Sequence, residues 1–290
     1  MTWTADFTNN PRSFISSKVV IVQEMYIATE KTAHIAPLVG PGPHAIGTAN
    51  LLMSFTMEQF GPNTAACTLQ PAGHAGAVPC YFLPYRPDMA VTMTLAGGAN
   101  YFFTSTLTGC TVQAFGPAAT PTITHANAVA QFTANVNAQR ALLNATDIAD
   151  PAQTPLFAAA EAAATTATSP LIDAMLPAAP VGTVPKYVRK TDYLGKFNNA
   201  NVRRGKRNLK TAKGWHRTSH VQPELADGYK PTVGGFVYGV RNVATGNWAL
   251  YYQSSISVTG QRHTGVPLFG KAKPLINQGI VLGPPEQFFP

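Results

Sequence analysis

The segment Met89-Ala90-Val91-Thr92-Met93-Thr94-Leu95 alternates large apolar residues with small or hydroxyl-bearing ones. A two-residue period puts the two sets on opposite faces of an extended chain, so it specifies a half-buried strand and cannot serve a helix. The turn signal Gly97-Gly98 separates this run from a second one, NYFFTSTL. Upstream, residues 19 to 22 (VVIV) form a buried-strand run, and YFLPYRP stops at two prolines that break regular structure. NLLMSFTMEQF fits either a strand or a helix. Composition points the same way: charged residues make up only 12%, and polarity rests on Thr, Asn, Ser and Gln with 24 Gly and 24 Pro. Short strands joined by turns use such a mixture; a helical bundle exposes Glu and Lys instead.

Residues 1 to 135 therefore read mostly as strands. Residues 128 to 177 change character, and AVAQFTANVNAQRALLNATDIAD and LFAAAEAAATTATSPLIDAML predict two or three helices, with Pro170 as a break. A proline-spaced link, AAPVGTVP, leads to a basic stretch. VGGFVYGVRNVATGNWALYYQSS then predicts a β-hairpin turning at Thr245-Gly246-Asn247. The last 30 residues, with five prolines, read as mostly loop. Strands, helices, then strands again predict an α+β fold, and no internal repeat is present. The expected organisation is one domain over residues 1–290, carrying an Ala-rich helical and basic insertion at about 128–225.

The net charge of +8 sits in one place: residues 186 to 217 hold eleven Lys or Arg and a single acid, Asp192. The other 258 residues carry 10 basic and 12 acidic side chains. Clustered cations attract phosphate, so a nucleic-acid-associated binding module is one reading, and RRGKR could serve as a nuclear address. A solvated insertion is the plainer reading, because aromatic residues are sparse there and no nucleic-acid fold motif appears.

Other classes are poorly supported. No run of apolar residues is long enough for a membrane helix, so membrane insertion is not expected. The start MTWTADFTNNPRS lacks the pattern of a Sec signal peptide. Three cysteines, Cys67, Cys80 and Cys110, make no disulfide framework. Cys67, His74 and Cys80 are too loosely spaced for a metal site, and WHRTSH has Arg217 where a zinc protease needs Glu. No P-loop, dinucleotide fingerprint or Gly-x-Ser-x-Gly elbow occurs, and no metal or cofactor is expected.

The stretch NYFFTSTLTGCTVQAFGPAATPTITHAN, residues 100 to 127, carries the chemistry. A strand leads into Leu107-Thr108-Gly109-Cys110, a Gly/Pro loop lets the chain return, and a second strand brings back His125. The period predicts that Thr104, Thr106 and Thr108 share a face, joined by Cys110 if the strand runs on through Gly109. Glycine at 109 would let a substrate approach the backbone closely. A thiol is mostly protonated near neutral pH, and a neighbouring imidazole can take its proton, which suits acyl transfer from amides. A buried strand cysteine and an unrelated loop histidine would produce the same spacing.

FLPYRPDMAVTMTLAGGANYFFTSTLTGC resembles the core of the Burkholderia lethal factor family. The counterparts are Leu83-Pro84-Tyr85, Phe102-Phe103-Thr104 and Leu107-Thr108-Gly109-Cys110, with Thr104 and Cys110 six residues apart. Val233-Gly234-Gly235 with Gly239 resembles a further stretch of that family. The Cys-His arrangement is also similar to that of the cytotoxic necrotizing factors and the chemoreceptor glutamine deamidases. The likeness spans residues 80 to 127 and 230 to 256 of the 290. Thr108 replaces the family's Ser, the Cys-to-His loop is somewhat longer than in the lethal factor, and stretch 128–225 is much longer.

The resemblance implies a β-sandwich of two mixed sheets flanked by helices and loops. It implies hydrolysis of a glutamine side chain in a target protein, with Cys110 as nucleophile, His125 as base and then acid, and Thr104 positioning the imidazole or substrate. Backbone amides around Leu107, Thr108 and Gly109 are the oxyanion candidates. It also implies a monomeric bacterial effector, delivered without a Sec signal into a target-cell cytosol. Its candidate targets are a host translation-initiation RNA helicase and a small GTPase. A protease or transglutaminase on the same scaffold is the alternative within this chemistry.

Overall fold

The computed structural model describes residues 3–24, 35–38, 45–49, 51–61, 64–146, 153–192, 216–217, 230–261, 275–282 and 285–290. Two short helices, α1 (Trp3–Asn9) and α2 (Pro11–Ser17), open the chain where strands were expected. Asn10 caps α2, its side chain accepting from the Ser13 amide, and Pro11 supplies the preset first helical position. There follow β1 (Val19–Gln23), β2 (Ile35–Leu38), β3 (Ala45–Ala49), β4 (Leu52–Gly61) and β5 (Thr64–Gln70). NLLMSFTMEQF is therefore a strand, with Met53, Phe55 and Met57 buried and pointing to one face. Next come β6 (Val78–Leu83), which stops before Pro84, β7 (Met89–Thr94), β8 (Tyr101–Thr104), β9 (Thr111–Phe115) and β10 (Thr122–Ala126).

Residues 128 to 177 hold α3 (Val129–Leu142) and α4 (Thr154–Met175). Pro170 does not break α4 as its sequence suggested. Beyond the proline, Ile172 and Met175 are buried against Ala90, Ala126 and Ala128, and that packing carries the helix past its lost hydrogen bond. The chain then adds β11 (Lys186–Val188) and β12 (His216–Arg217). The long hairpin expected near the end is β13 (Lys230–Arg241) and β14 (Trp248–Gln261), paired Arg241 to Trp248 at its turn. The last residues are less loop-like than their prolines suggested, with β15 (Leu275–Leu282) and β16 (Glu286–Phe289) both pairing β14. Of the basic stretch, residues 193–215 and with them RRGKR lie outside the described residues, as do Thr218, Ser219 and His220 of WHRTSH.

The strands form two mixed sheets, and the fold is α+β. The large sheet has the order β1-β5-β4-β6-β8-β13-β14-β15-β12, with β16 on β14; β1–β5 and β6–β8 are parallel and the rest antiparallel. The small sheet runs β11-β9-β10-β7-β3-β2, with β3–β7 parallel. One buried cluster joins both sheets, taking Phe82, Phe102 and Leu250 from the large one and Val91, Met93, Val112 and Ile123 from the small one. An edge-to-face group of Phe7, Phe55 and Phe103, with ring centroids 5.0–5.9 Å apart, ties α1 to the large sheet.

Alternation in the small sheet gives it two different faces. Val91, Met93, Val112, Ala114 and Ile123 enter the shared core, whereas Ala90 and Ala126 turn toward α4. The small outward residues let the helix approach closely.

Candidate active site

β8 ends at Thr104, and residues 105 to 110 leave the sheet. Thr104, Thr106, Thr108 and Cys110 therefore do not share a strand face, contrary to the period read from sequence. The departure is fixed from across the large sheet. Leu107 and Gly235 exchange both backbone hydrogen bonds, at 2.6 and 2.9 Å, as an isolated bridge to β13. A Cβ on Gly234 would stand 2.7 Å from the Leu107 carbonyl, and one on Gly235 2.6 Å from the Gln253 carbonyl. Only glycine permits this approach, so the Val233-Gly234-Gly235 stretch acts as a seat for the Leu107-Thr108-Gly109-Cys110 loop.

Cys110 comes out of that loop immediately before β9. In the β9–β10 pairing Val112 faces His125 directly. Cys110 lies two residues before Val112, outside β9, so the hairpin brings the Cys110 and His125 segments to the same end of the small sheet. His125 is 1% exposed, and Tyr85 stands 6.1 Å from it, ring centre to ring centre. Neither ring nitrogen has a hydrogen-bond partner among the described residues. Burial holds its pKa down to about 4, and the nearby Leu83 carbonyl opposes this in part without reaching hydrogen-bond geometry. At neutral pH the imidazole is uncharged and able to accept a proton.

Cys110 is 2% exposed, yet it lines a pocket of about 200 Å³. Burial pushes its thiol up to about 12; hydrogen bonds from the backbone of Thr108 and Gly109, and then the Lys190 charge, act against that rise. The resting site is thus a neutral thiol and a neutral imidazole. Cys67 and Cys80 are fully buried with their pKa values raised, and neither lines this pocket. His74 is exposed in the turn before β6, and no group of three metal-binding side chains occurs among the described residues.

The other predicted site residues divide. Thr108 and Gly109 line the pocket, and a Cβ at Gly109 would meet nothing within 4 Å. Leu107 is buried as the bridge that anchors the loop. Thr104 is fully buried, and its hydroxyl oxygen accepts the Val237 amide at 3.0 Å, so it fastens β8 to β13 and does not line the pocket.

Sequence reasoning missed the opposite wall. It is built from α3, α4 and the residues after β11, including Phe132, Thr165, Thr168, Ser169 and Lys190. Lys190 is 7% exposed; its Nζ lies 3.1 Å from a Glu161 carboxylate oxygen and 3.7 Å from the Phe132 ring centre. Next to it, Arg189 pairs with Asp173 at 2.6 Å, so two ion pairs fasten this strap to α4. Asn127 closes the corner: it donates to the Arg86 carbonyl and accepts the Asp88 amide at 2.8 Å, while Asp88 accepts the Ala130 amide at the start of α3. In sequence Lys190 was one cation among eleven in a basic stretch, and no local signal set it apart.

No family model matches this chain, and no curated protein matches it. Among solved structures, the crystal structure of the C-terminal domain of CNFy from Yersinia pseudotuberculosis is similar at 12% identity with a TM-score of 0.20, covering 87% of this chain and 76% of that one.

Proposed function

We propose that this chain is a toxin-like protein-glutamine deamidase with Cys110 as nucleophile and His125 as its base. One observation carries the reading. Three of the segments that resemble the lethal factor family come together around one pocket: Tyr85 and Thr108 to Cys110 line it, and Gly234-Gly235 seat the loop that carries Cys110. His125 lies buried behind it, between Leu83 and Tyr85, and pairs across β9–β10 with Val112, two residues from the pocket thiol.

The chemistry follows. The Cys110 sulfur attacks the glutamine side-chain carbonyl carbon while its proton passes to His125. The carbonyl electrons move onto oxygen, where backbone amides of the Thr108–Gly109 loop are the available donors. Collapse expels ammonia, which takes the proton from the imidazolium. Water, deprotonated by His125, then hydrolyses the thioester to glutamate and restores the thiol. Thr104 serves by holding β8 and β13 in register behind the loop.

The target is a protein presenting an exposed glutamine, with a translation-initiation RNA helicase and a small GTPase as the first two to try. The setting is a target-cell cytosol reached by a bacterial effector, where a free thiol survives.

The test is to incubate the full chain with each purified candidate and read peptides by mass spectrometry. Conversion of one glutamine to glutamate, lost in Cys110→Ala and in His125→Ala but kept in Cys67→Ala, is the expected result. Backbone cleavage or amine incorporation at the same pocket would replace the deamidase by a protease or a transglutaminase. Conversion that persists in Cys110→Ala would end the reading.

A further inference from the structure

The sandwich brings Cys110 to the pocket, with His125 buried behind it, but no cation. The inserted half brings one. Lys190 is buried, lines the same pocket as the thiol, and is fixed on two sides, by Glu161 from α4 and by the Phe132 ring from α3. An ammonium taken so far out of water is costly unless the site uses it, and one carboxylate that is itself half exposed compensates it only in part. Its other neighbour of interest is the sulfur.

We propose that Lys190 is a positioning residue for the nucleophile: held in the wall of the pocket that Cys110 also lines, its ammonium supports the negative charge that Cys110 must carry. This rests on the reading of Cys110 as the attacking group. The titratable and charged groups that share the pocket with the thiol are Lys190 and Arg189 from the strap, with Glu161 behind Lys190, and Tyr85 from the β6–β7 loop, beyond which His125 lies buried on β10. Lys190 also acts on the thiol in the lowering direction, and the thiol on Lys190 in the raising one, as an attractive pair requires. The insertion thus contributes to the reaction itself and does more than shelter it.

The test needs no protein substrate. Iodoacetamide alkylates the Cys110 thiolate, forming an S–C bond with loss of iodide, and its rate is followed by mass spectrometry of the Cys110 peptide across pH 6 to 10. An opposite charge at this range shifts a thiol by about one unit, so Lys190→Met should slow alkylation about tenfold below the thiol pKa and move the profile to higher pH. Lys190→Arg, which keeps the charge, should restore most of the rate. The double variant Lys190→Met/Glu161→Gln leaves no orphan buried charge; folded by circular dichroism, it should alkylate as slowly as the single variant. An unchanged profile in folded Lys190→Met, or equal slowing in Lys190→Arg, overturns the proposal while leaving the deamidase reading in place. A Lys190-dependent profile without any glutamine conversion keeps the proposal and removes the deamidase.

Discussion

The two walls of the pocket are built on different physical terms. The sandwich wall, with Tyr85, Thr108, Cys110, Thr111 and Asn127 in its lining, backs onto a core of Phe55, Phe82, Phe102 and Phe103, and its thiol and the buried imidazole are uncharged at rest. The inserted wall rests on a small patch of Ala90, Ala126, Ala128, Ile172 and Met175 and on two ion pairs. Burial of large aromatic side chains stabilises by several kcal/mol each, whereas a partly exposed ion pair adds about 1 kcal/mol or less. The thiol is therefore held on a rigid support and covered by a weaker one. If the site admits a protein side chain, as the proposed deamidase requires, that inequality lets the cover yield before the support does.

The largest expected effect separates the walls directly. Phe103→Ala removes a fully buried ring stacked edge-on with Phe55 and should cost about 3–5 kcal/mol of global stability in denaturant titration. Ile172→Ala lies in the small patch beside α4 and should cost about 2 kcal/mol. The second readout is alkylation of Cys110 under native conditions. Ile172→Ala should speed it, since the helical wall opens locally. Phe103→Ala should change it only as far as global unfolding becomes accessible. Equal stability losses with equal effects on alkylation would mean that the two walls open as one unit.

Acid comes next, and it acts on the sandwich wall. The folded pKa of His125, about 4, lies below its ordinary value of 6.5. Between those limits the unfolded chain binds the proton and the folded one does not. Stability from this group is therefore complete above pH 6.5 and declines as pH falls toward 4, by at most about 3 kcal/mol. His125→Leu should flatten that part of the stability-against-pH curve, because it removes the buried group whose titration sets the slope. A slope that survives the substitution would place the acid-sensitive group elsewhere.

The same contrast explains what could be read from sequence. Period-2 alternation in residues 89 to 95 and the aromatic hairpin near the end are local patterns, and both are strands. The glycines at 234 and 235 were legible as part of a resemblance, but their reason was not: the carbonyl of residue 107 is pressed against Gly234 and that of residue 253 against Gly235. Cys110 and His125 were legible as a candidate pair because the β9–β10 hairpin keeps them close in sequence. Pro170 misled, since the packing of Ile172 and Met175 outweighs a local breaker. Lys190 was invisible because its burial depends on Glu161 and Phe132, which reach it only through tertiary structure.

The smallest expected change is at Gly109, and it sharpens the reading of the loop by contrast with Gly234. Both glycines belong to segments that resemble one family, yet their surroundings differ. A methyl on Gly234 meets a backbone carbonyl at 2.7 Å, which neither strand can easily yield, so Gly234→Ala should destabilise by about 1–3 kcal/mol and loosen the loop. A methyl on Gly109 meets nothing within 4 Å and needs no left-handed backbone, so Gly109→Ala should stay within about 0.5 kcal/mol of the original protein. The open space beside it belongs to a residue that lines the pocket, however, and any group approaching Cys110 passes close by. Iodoacetamide is small enough to be little affected, and its rate should change less than twofold, in the absence of strain or clash at this position. Under the proposed deamidase reading a protein substrate would lay its glutamine along this backbone, so KM for deamidation should rise while the melting temperature stays fixed. If Gly109→Ala instead melts early, as Gly234→Ala should, the glycine serves the fold of the loop. The free approach to the thiol would then have to come from the helical wall alone.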